Sequence, residues 1–194
     1  MIDRTFFECD PWNCARSLIG SELVWGETAG VIVETEAYAE HGDEACHAFL
    51  RPGTREFIRQ RPAGTLYVYL NYGIHWLLNF LVKSVEANGL VLVRALEPTR
   101  GLGKMVKRRG LENPVRLCSG PGRLTQALAI DQRFHGQDFF AIAGNQILGR
   151  RQAVKIDVDR RIGISKGIDL HWRFLLAGSQ YVSSPKRKTR PRTS

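Results

Sequence analysis

The sequence has few cysteines, and no two of them are spaced as C-x-x-C. The four stand at 9, 14, 46 and 118. Zinc ribbons and fingers therefore have no support, and a disulfide framework does not suit so few cysteines in 194 residues. The expectation is a reduced, intracellular chain whose cysteines are small core residues. Long apolar runs are lacking too. No stretch reaches the length of a membrane span, and the opening MIDRTFFECDPW has no signal-peptide apolar region. There is no internal repeat, and no linker interrupts residues 1–182. Acidic residues are in the minority, 19 against 28 Lys and Arg, for a net charge of +9.

Part of that excess is local. Lys186, Arg187, Lys188, Arg190 and Arg192 put +5 and no acid into the last twelve residues, leaving +4 for the other 182. A basic body with a basic tail suits a polyanion, either nucleic acid or an anionic surface, although a tail kept for solubility has the same composition. The length allows one well-cored domain. The expected division is a domain over 1–182 and a disordered tail over 183–194, in which Pro185-Lys186-Arg187-Lys188 would pass for a nuclear signal in a eukaryote.

The most informative stretch is Thr65 to Val82, read as two strands joined by a turn at Asn71-Tyr72-Gly73. Leu66, Val68 and Leu70 alternate with Tyr67 and Tyr69, the period of a strand with two distinct faces. Asn71 and Gly73 supply the positive φ that a hairpin needs. Tyr67 and Tyr69 suit core pairing as well as a binding site. Tyr72 is different, because a large aromatic at a wet hairpin tip covers little core. With a nucleic-acid partner, such a side chain can wedge between base steps while a neighbouring ring stacks on an extruded base.

The second informative stretch runs from Val31 to His47. Strand alternation puts Val31, Val33, Thr35 and Ala37 on one face and Ile32, Glu34, Glu36 and Tyr38 on the other. Carboxylates in so apolar a strand are costly to bury; the face is either exposed or lines a cleft where a carboxylate works. His47 close by favours the cleft. A metal at His41, Cys46 and His47 is not expected, since the zinc-deaminase pattern needs H-x-E and a C-x-x-C, and neither is present.

Elsewhere, Asp10 and Pro11 open a helix that Gly20 closes, placing Ala15, Leu18 and Ile19 on the core. Glu22 to Trp25 reads as a strand. Residues 51–63 are basic, with a short helix at 54–60 and Arg51, Arg55, Arg59 and Arg61 as candidate phosphate contacts. Arg94 lies inside the apolar strand Leu90 to Pro98; a buried guanidinium must be paired, and Glu36 or Glu34 is available. Gly101 to Arg109 reads as a basic amphipathic helix. Ser119 to Gly122 is a loop entering a helix and could offer backbone N–H groups to a phosphate. Further strands are expected at Asp138 to Leu148, Val154 to Asp157, Ile162 to Ile164 and His171 to Ala177.

Taken together, these motifs resemble the alkyladenine (3-methyladenine) DNA glycosylases of the mammalian type, a family with many bacterial members. The matching segments are Val33 to Tyr38, Asp43 to His47, Gly64 to Tyr69 with Tyr72, Gly73 and Asn79, Leu92 to Pro98, Leu117 to Pro121 and Gln126 to Ile130. They occur in the family's order across most of residues 5 to 182. The resemblance implies an α+β fold, a single mixed domain around a curved, mainly antiparallel sheet with surrounding helices and a protruding β-hairpin. It implies a monomer without metal or cofactor that hydrolyses the N-glycosidic bond of a damaged purine flipped out of double-stranded DNA, cytoplasmic in a bacterium and nuclear in a eukaryote. In that reading Glu36 activates the water, Arg94 helps hold it, and the backbone near Ile162 is a further water-binding candidate. Tyr38, His47 and Tyr69 sandwich the base, Asn79 screens normal purines, and Tyr72 intercalates. No lysine lies in these motifs, so no lyase step is expected. Two departures stand out: Glu56 sits near an expected Asn, and Leu77-Leu78 replace a common cysteine. The alternative is a non-catalytic nucleic-acid-binding protein in which Glu36 and Arg94 form a structural ion pair.

Overall fold

The computed structural model describes residues 1–185; the basic stretch 186–194 lies outside them. Two strands of twelve residues form the spine, β2 (Thr28–Ala39) and β5 (Gly89–Arg100), paired antiparallel. The sheet runs β3 (Leu66–Asn71), β4 (His75–Val82), β5, β2, β1 (Glu22–Trp25), β6 (Asn145–Leu148). Two more strands, β7 (Ile156–Asp159) and β8 (Arg173–Leu176), extend it, β8 pairing with both β2 and β7. The fold is α+β, one domain on an open, largely antiparallel sheet of eight strands. The second edge of β2 is divided: Thr28–Val31 face β1, while Glu34–Glu36 face β8.

That division coincides with a break in the β2–β5 register. Ile32 pairs with Leu96, Glu34 with Ala95 and Thr35 with Val93, so Val33 and Arg94 are skipped. Such a bulge re-aims side chains. It corrects the simple alternation expected for this strand: Ile32 joins Ala37 in the main hydrophobic cluster, and Glu34 and Glu36 are left together, both fully buried.

Around the sheet, α1 (Pro11–Leu18) has Asp10 at the N-cap and Pro11 at the first position. It buries Cys14, Ala15 and Leu18, and its Ala15 carbonyl accepts from Thr35 Oγ1 at 2.8 Å. The helices α2 (His47–Leu50) and α3 (Pro52–Gln60) follow β2. Basic α4 (Leu102–Arg109), short α5 (Pro114–Leu117) and α6 (Pro121–Leu128) follow β5. Phe7, Phe80 and Phe139 are fully buried in the core, each worth roughly 1.5–3 kcal/mol of burial. All four cysteines are free thiols; Cys14, Cys46 and Cys118 are buried.

The hairpin forms as expected, but its left-handed residues are Tyr72 (φ +50°) and Gly73 (φ +69°) rather than Asn71. Positive φ at both central positions is the turn that matches strand twist.

Four strand expectations change. The stretch 138–148 is a strand only at its end, because Asp138 accepts from Phe140 N–H and starts a 3-10 turn at Phe139–Ala141. The strand expected at 154–157 is shifted two residues onward, to Ile156–Asp159, and the one expected at 171–177 is trimmed to Arg173–Leu176. Ile162 to Ile164 is loop, since Gly163 takes φ +76° and the Ile162 N–H donates to a side chain rather than to a strand. The chain also stays on the domain at Ser183 and Ser184, which hydrogen-bond to buried groups described below.

Candidate active site

Glu36 is fully buried and accepts three hydrogen bonds. Tyr38 Oη donates to Oε2 at 2.8 Å, Arg94 Nη1 to Oε2 at 3.1 Å, and the backbone N–H of Ile162 to Oε1 at 2.7 Å. Glu34 lies beside it and is still more heavily bonded. Its Oε1 accepts from Arg94 Nε at 2.9 Å, Arg173 Nε at 2.8 Å and Ser183 Oγ at 2.8 Å, and its Oε2 from the Ser183 N–H at 2.5 Å. The sequence left Arg94's partner open between Glu34 and Glu36; Arg94 binds both. Burial works against the Arg94 charge, but Glu36 and Glu34 outweigh it and hold the guanidinium above its ordinary range. Burial, reinforced by the Glu36 charge, pushes the Tyr38 phenol far up, so it remains a donor.

Above this buried layer opens a cleft of about 440 Å³, within the range of small-molecule sites. Tyr38, His47, Tyr69, Asn79, Arg94 and Ile162 all line it, as does Tyr72 from the hairpin turn. Of the residues expected to act, only Glu36 does not; it sits one layer below, under three donors that do. Gly89 sets how close the Tyr38 end of β2 comes to β5, since a Cβ there would stand 2.1 Å from the Tyr38 carbonyl oxygen. One face of the Tyr38 ring is covered by the Arg161 guanidinium, 4.6 Å from its centroid.

The other wall is built from α2 and β3. His47 and Tyr69 meet edge to face with centroids 4.4 Å apart. Tyr67 is core, 6% exposed; its Oη lies 3.2 Å from His47 Nδ1 and 3.1 Å from Thr54 Oγ1. The two strand tyrosines thus divide, one packed behind the wall and one forming it. Burial, with help from the Arg51 charge, lowers the His47 imidazole to about 4, so it is neutral at pH 7. Asn79 is anchored by donating Nδ2 to the Tyr67 carbonyl at 3.0 Å.

Tyr72 projects from the hairpin tip, 84% exposed, flanked by exposed Leu70 and Ile74. A second groove joins the turn end of the hairpin at His75 to the start of α6 and to Arg94, Arg123 and Ser183. Gly122 lets α6 approach, because a Cβ there would meet His75 at 2.6 Å. Of the four candidate phosphate contacts in 51–63, Arg51 borders the cleft. Arg59 is committed to Glu56, and Arg61 donates to the Gly136 carbonyl. His41 is exposed and Cys46 buried. Among the described residues no group of three or more His, Cys, Asp or Glu side chains is arranged to hold a metal.

The family model for methylpurine-DNA glycosylase (MPG) matches residues 5–180. The chain belongs to that family. Among its relatives, a protein of Rhodopseudomonas palustris is 43% identical over 185 residues, 95% of this chain and 89% of its own length. One from Nitrosospira multiformis is 43% identical over 182 residues, 94% of this chain and 93% of its own. One from Agrobacterium fabrum is 44% identical over 182 residues, 94% and 92% respectively. All three are provisionally named 3-methyladenine DNA glycosylase.

In this methylpurine-DNA glycosylase fold, the sequence reading missed the residues behind the site. Arg173 donates Nη1 to Asp159 Oδ2 at 3.0 Å and Nη2 to the Ser184 carbonyl. Arg161 forms a fully buried fork on Asp43, at 2.6 and 2.7 Å, and donates to the Ala37 carbonyl at 2.9 Å. Arg173 had a readable signal: it stands inside Trp172-Arg173-Phe174-Leu175-Leu176, an apolar run with a guanidinium in it, as Arg94 does. Arg161 and Ser183 carried none.

Proposed function

We propose that this chain is a monofunctional DNA glycosylase that flips an alkylated or deaminated purine out of duplex DNA and hydrolyses its N-glycosidic bond, opening base excision repair. The observation that carries the reading is the Glu36 carboxylate, buried and held by Arg94, Tyr38 and the Ile162 N–H beneath an aromatic cleft. With two donors on Oε2 and one on Oε1, a lone pair of Oε1 remains for a water proton. The water oxygen attacks C1′ of the deoxyribose from the face opposite the base as Glu36 takes its proton, and the electrons of the C1′–N bond leave with the purine.

Arg94 donates Nη1 to Glu36 and so acts as an orienting group rather than a nucleophile. A base alkylated on a ring nitrogen is cationic and leaves as a neutral molecule, so it needs less acid assistance than hypoxanthine. Tyr38 on one side, with His47 and Tyr69 on the other, supplies flat surfaces for an extruded base. Asn79 on the cleft wall suits a filter on the purine edge. Tyr72 suits the space that the flipped nucleotide leaves in the stack. Arg51 and the start of α6 suit the flanking phosphates.

The test is single-turnover release of 3-methyladenine or hypoxanthine from duplex DNA by the wild type and Glu36→Gln. The expected result is release that falls by about 10²–10⁴-fold in the variant, with lesion-DNA affinity retained. Tight DNA binding without release of any damaged purine would instead leave a non-catalytic binder.

A further inference from the structure

One buried fork touches the segments that carry both walls of the cleft. Arg161 and Asp43 are 3% and 0% exposed. Arg161 Nη1 donates to Asp43 Oδ2 at 2.6 Å and to the Ala37 carbonyl at 2.9 Å, and Nη2 donates to Asp43 Oδ1 at 2.7 Å and to the Gly167 carbonyl at 3.2 Å. On one side the guanidinium lies 4.6 Å from the Tyr38 ring centroid, within cation–π range. It is also 5.5 Å from the centroid of Trp172, which stacks on Trp12 of α1 at 5.2 Å. On the other side, Asp43 Oδ2 accepts the Ala39 N–H at 3.2 Å at the end of β2, and Oδ1 accepts the Ala45 N–H at 3.1 Å. The Asp43 carbonyl accepts the Cys46 N–H at 3.0 Å, and His47 follows as the first residue of α2. Tyr38 and His47 line the cleft, while Arg161 and Asp43 do not; the pair sits behind both walls.

We propose that Arg161, forked on Asp43, is a positioning residue for the flipped base, fixing the Tyr38 wall and the His47 wall at one spacing. The proposal rests on the reading of the cleft as a base slot. Spacing matters there because dispersion acts only at contact: a gap of about 0.5–1 Å forfeits about a quarter to a half of it. Stability alone does not account for the fork. Buried ion pairs add little over apolar packing, and this one leaves Arg161 Nε buried with no partner among the described residues. What the fork does, and an apolar residue could not, is bond the segments carrying the two walls to the loop at 160–167. Gly167 shows how closely that loop is fitted: a Cβ there would stand 2.8 Å from Arg161 Nη2 and 3.0 Å from Asp43 Oδ1. A lysine at 161 keeps a cation near Tyr38, but one ammonium does not reproduce the two-pronged grip on Asp43.

The experiment compares affinity for a duplex carrying one hypoxanthine with affinity for the undamaged duplex. A 2-aminopurine beside the lesion brightens as its stacked neighbour leaves, and so reports flipping. Glu36→Gln is the background, so that a bound base is not released, and Arg161→Met, Arg161→Lys and Gly167→Ala are each added to it. Arg161→Met is expected to keep its affinity for undamaged duplex, since Arg161 is buried. Its preference for the lesion falls about tenfold, on the order of one lost base–aromatic stack, and the fluorescence rise shrinks with it. Arg161→Lys falls between the background protein and Arg161→Met. Gly167→Ala moves in the same direction as Arg161→Met, because the added Cβ displaces the fork while both its residues remain. A folded Arg161→Met with unchanged lesion preference and unchanged fluorescence overturns the proposal. So does an equal loss of affinity for both duplexes, the mark of general loosening. If Arg161→Met does not fold, Gly167→Ala decides by the same two readouts. A background protein that does not prefer the lesion duplex sinks the base-slot reading itself, an outcome distinct from a normal preference that no variant alters.

Discussion

Ile162 donates its backbone N–H to Glu36 Oε1 at 2.7 Å across 126 residues of sequence. Only proline at 162 would delete that donor, and it would fix φ there as well, so the contact is best disturbed through the backbone next to it. Gly163 has φ +76° with nothing within 4 Å of a Cβ placed on it. Gly163→Ala therefore meets no steric barrier, only a left-handed backbone that costs about 1–2 kcal/mol for a residue with a Cβ. The expected outcome is a melting temperature lower by roughly 2–8 °C and slower base release with lesion affinity kept. Equal melting temperatures for the two proteins would contradict this.

Arg94 is 7% exposed and bonds both carboxylates. Removing one partner from a buried ion pair costs about 3–5 kcal/mol because the remaining charge is left uncompensated. Arg94→Met is expected to lose about that much stability by urea titration and to release base at least about 10²-fold more slowly. Arg94→Lys retains the charge but not the simultaneous grip on Glu34 and Glu36, so it should recover stability in part and activity less.

At the hairpin tip the expectation reverses for stability. Tyr72 holds φ +50° and is 84% exposed. It thus stores backbone strain of about 1 kcal/mol or more without packing to offset it. Tyr72→Gly relieves that strain and should raise the melting temperature by about 2–4 °C, while weakening binding to lesion DNA about tenfold or more. A tip that matters only for folding would show the opposite pattern, a lower melting temperature and unchanged binding.

The hairpin, the Arg94 strand and the availability of Glu34 and Glu36 to Arg94 could all be read from alternation and from charges set in apolar runs, because those signals are local. What could not be read arises where distant segments meet. The faces of β2 depend on the bulge at Val33 and Arg94, which exists only once β5 is alongside. The place of Ile162 depends on Gly163 and on Glu36, 126 residues away. Ser183, in a stretch whose composition reads as tail, donates twice to Glu34. Tyr67 and Tyr69 were alike in sequence and separate only because Thr54 and His47 offer one of them buried partners.

His47 offers a prediction in pH. Burial first, and the Arg51 charge second, hold its imidazole near 4, against 6.5 for a free one. The unfolded chain then binds more protons than the fold between about pH 4 and 6.5, so stability rises with pH across that window. The His47 contribution is complete above 6.5 and is lost as the pH falls toward 4. Urea midpoints at pH 4.5, 5.5 and 7.5 for wild type and His47→Gln should show a wild-type deficit that grows as the pH falls. An NMR titration should find the His47 ring neutral at pH 6. The consequence reaches the mechanism: the His47 side of the cleft stays largely uncharged between pH 5 and 8, so His47 contributes no acid limb to base release in that range. A ring that titrates near 6.5 would contradict this and make the wall formed by His47 and Tyr69 pH-sensitive.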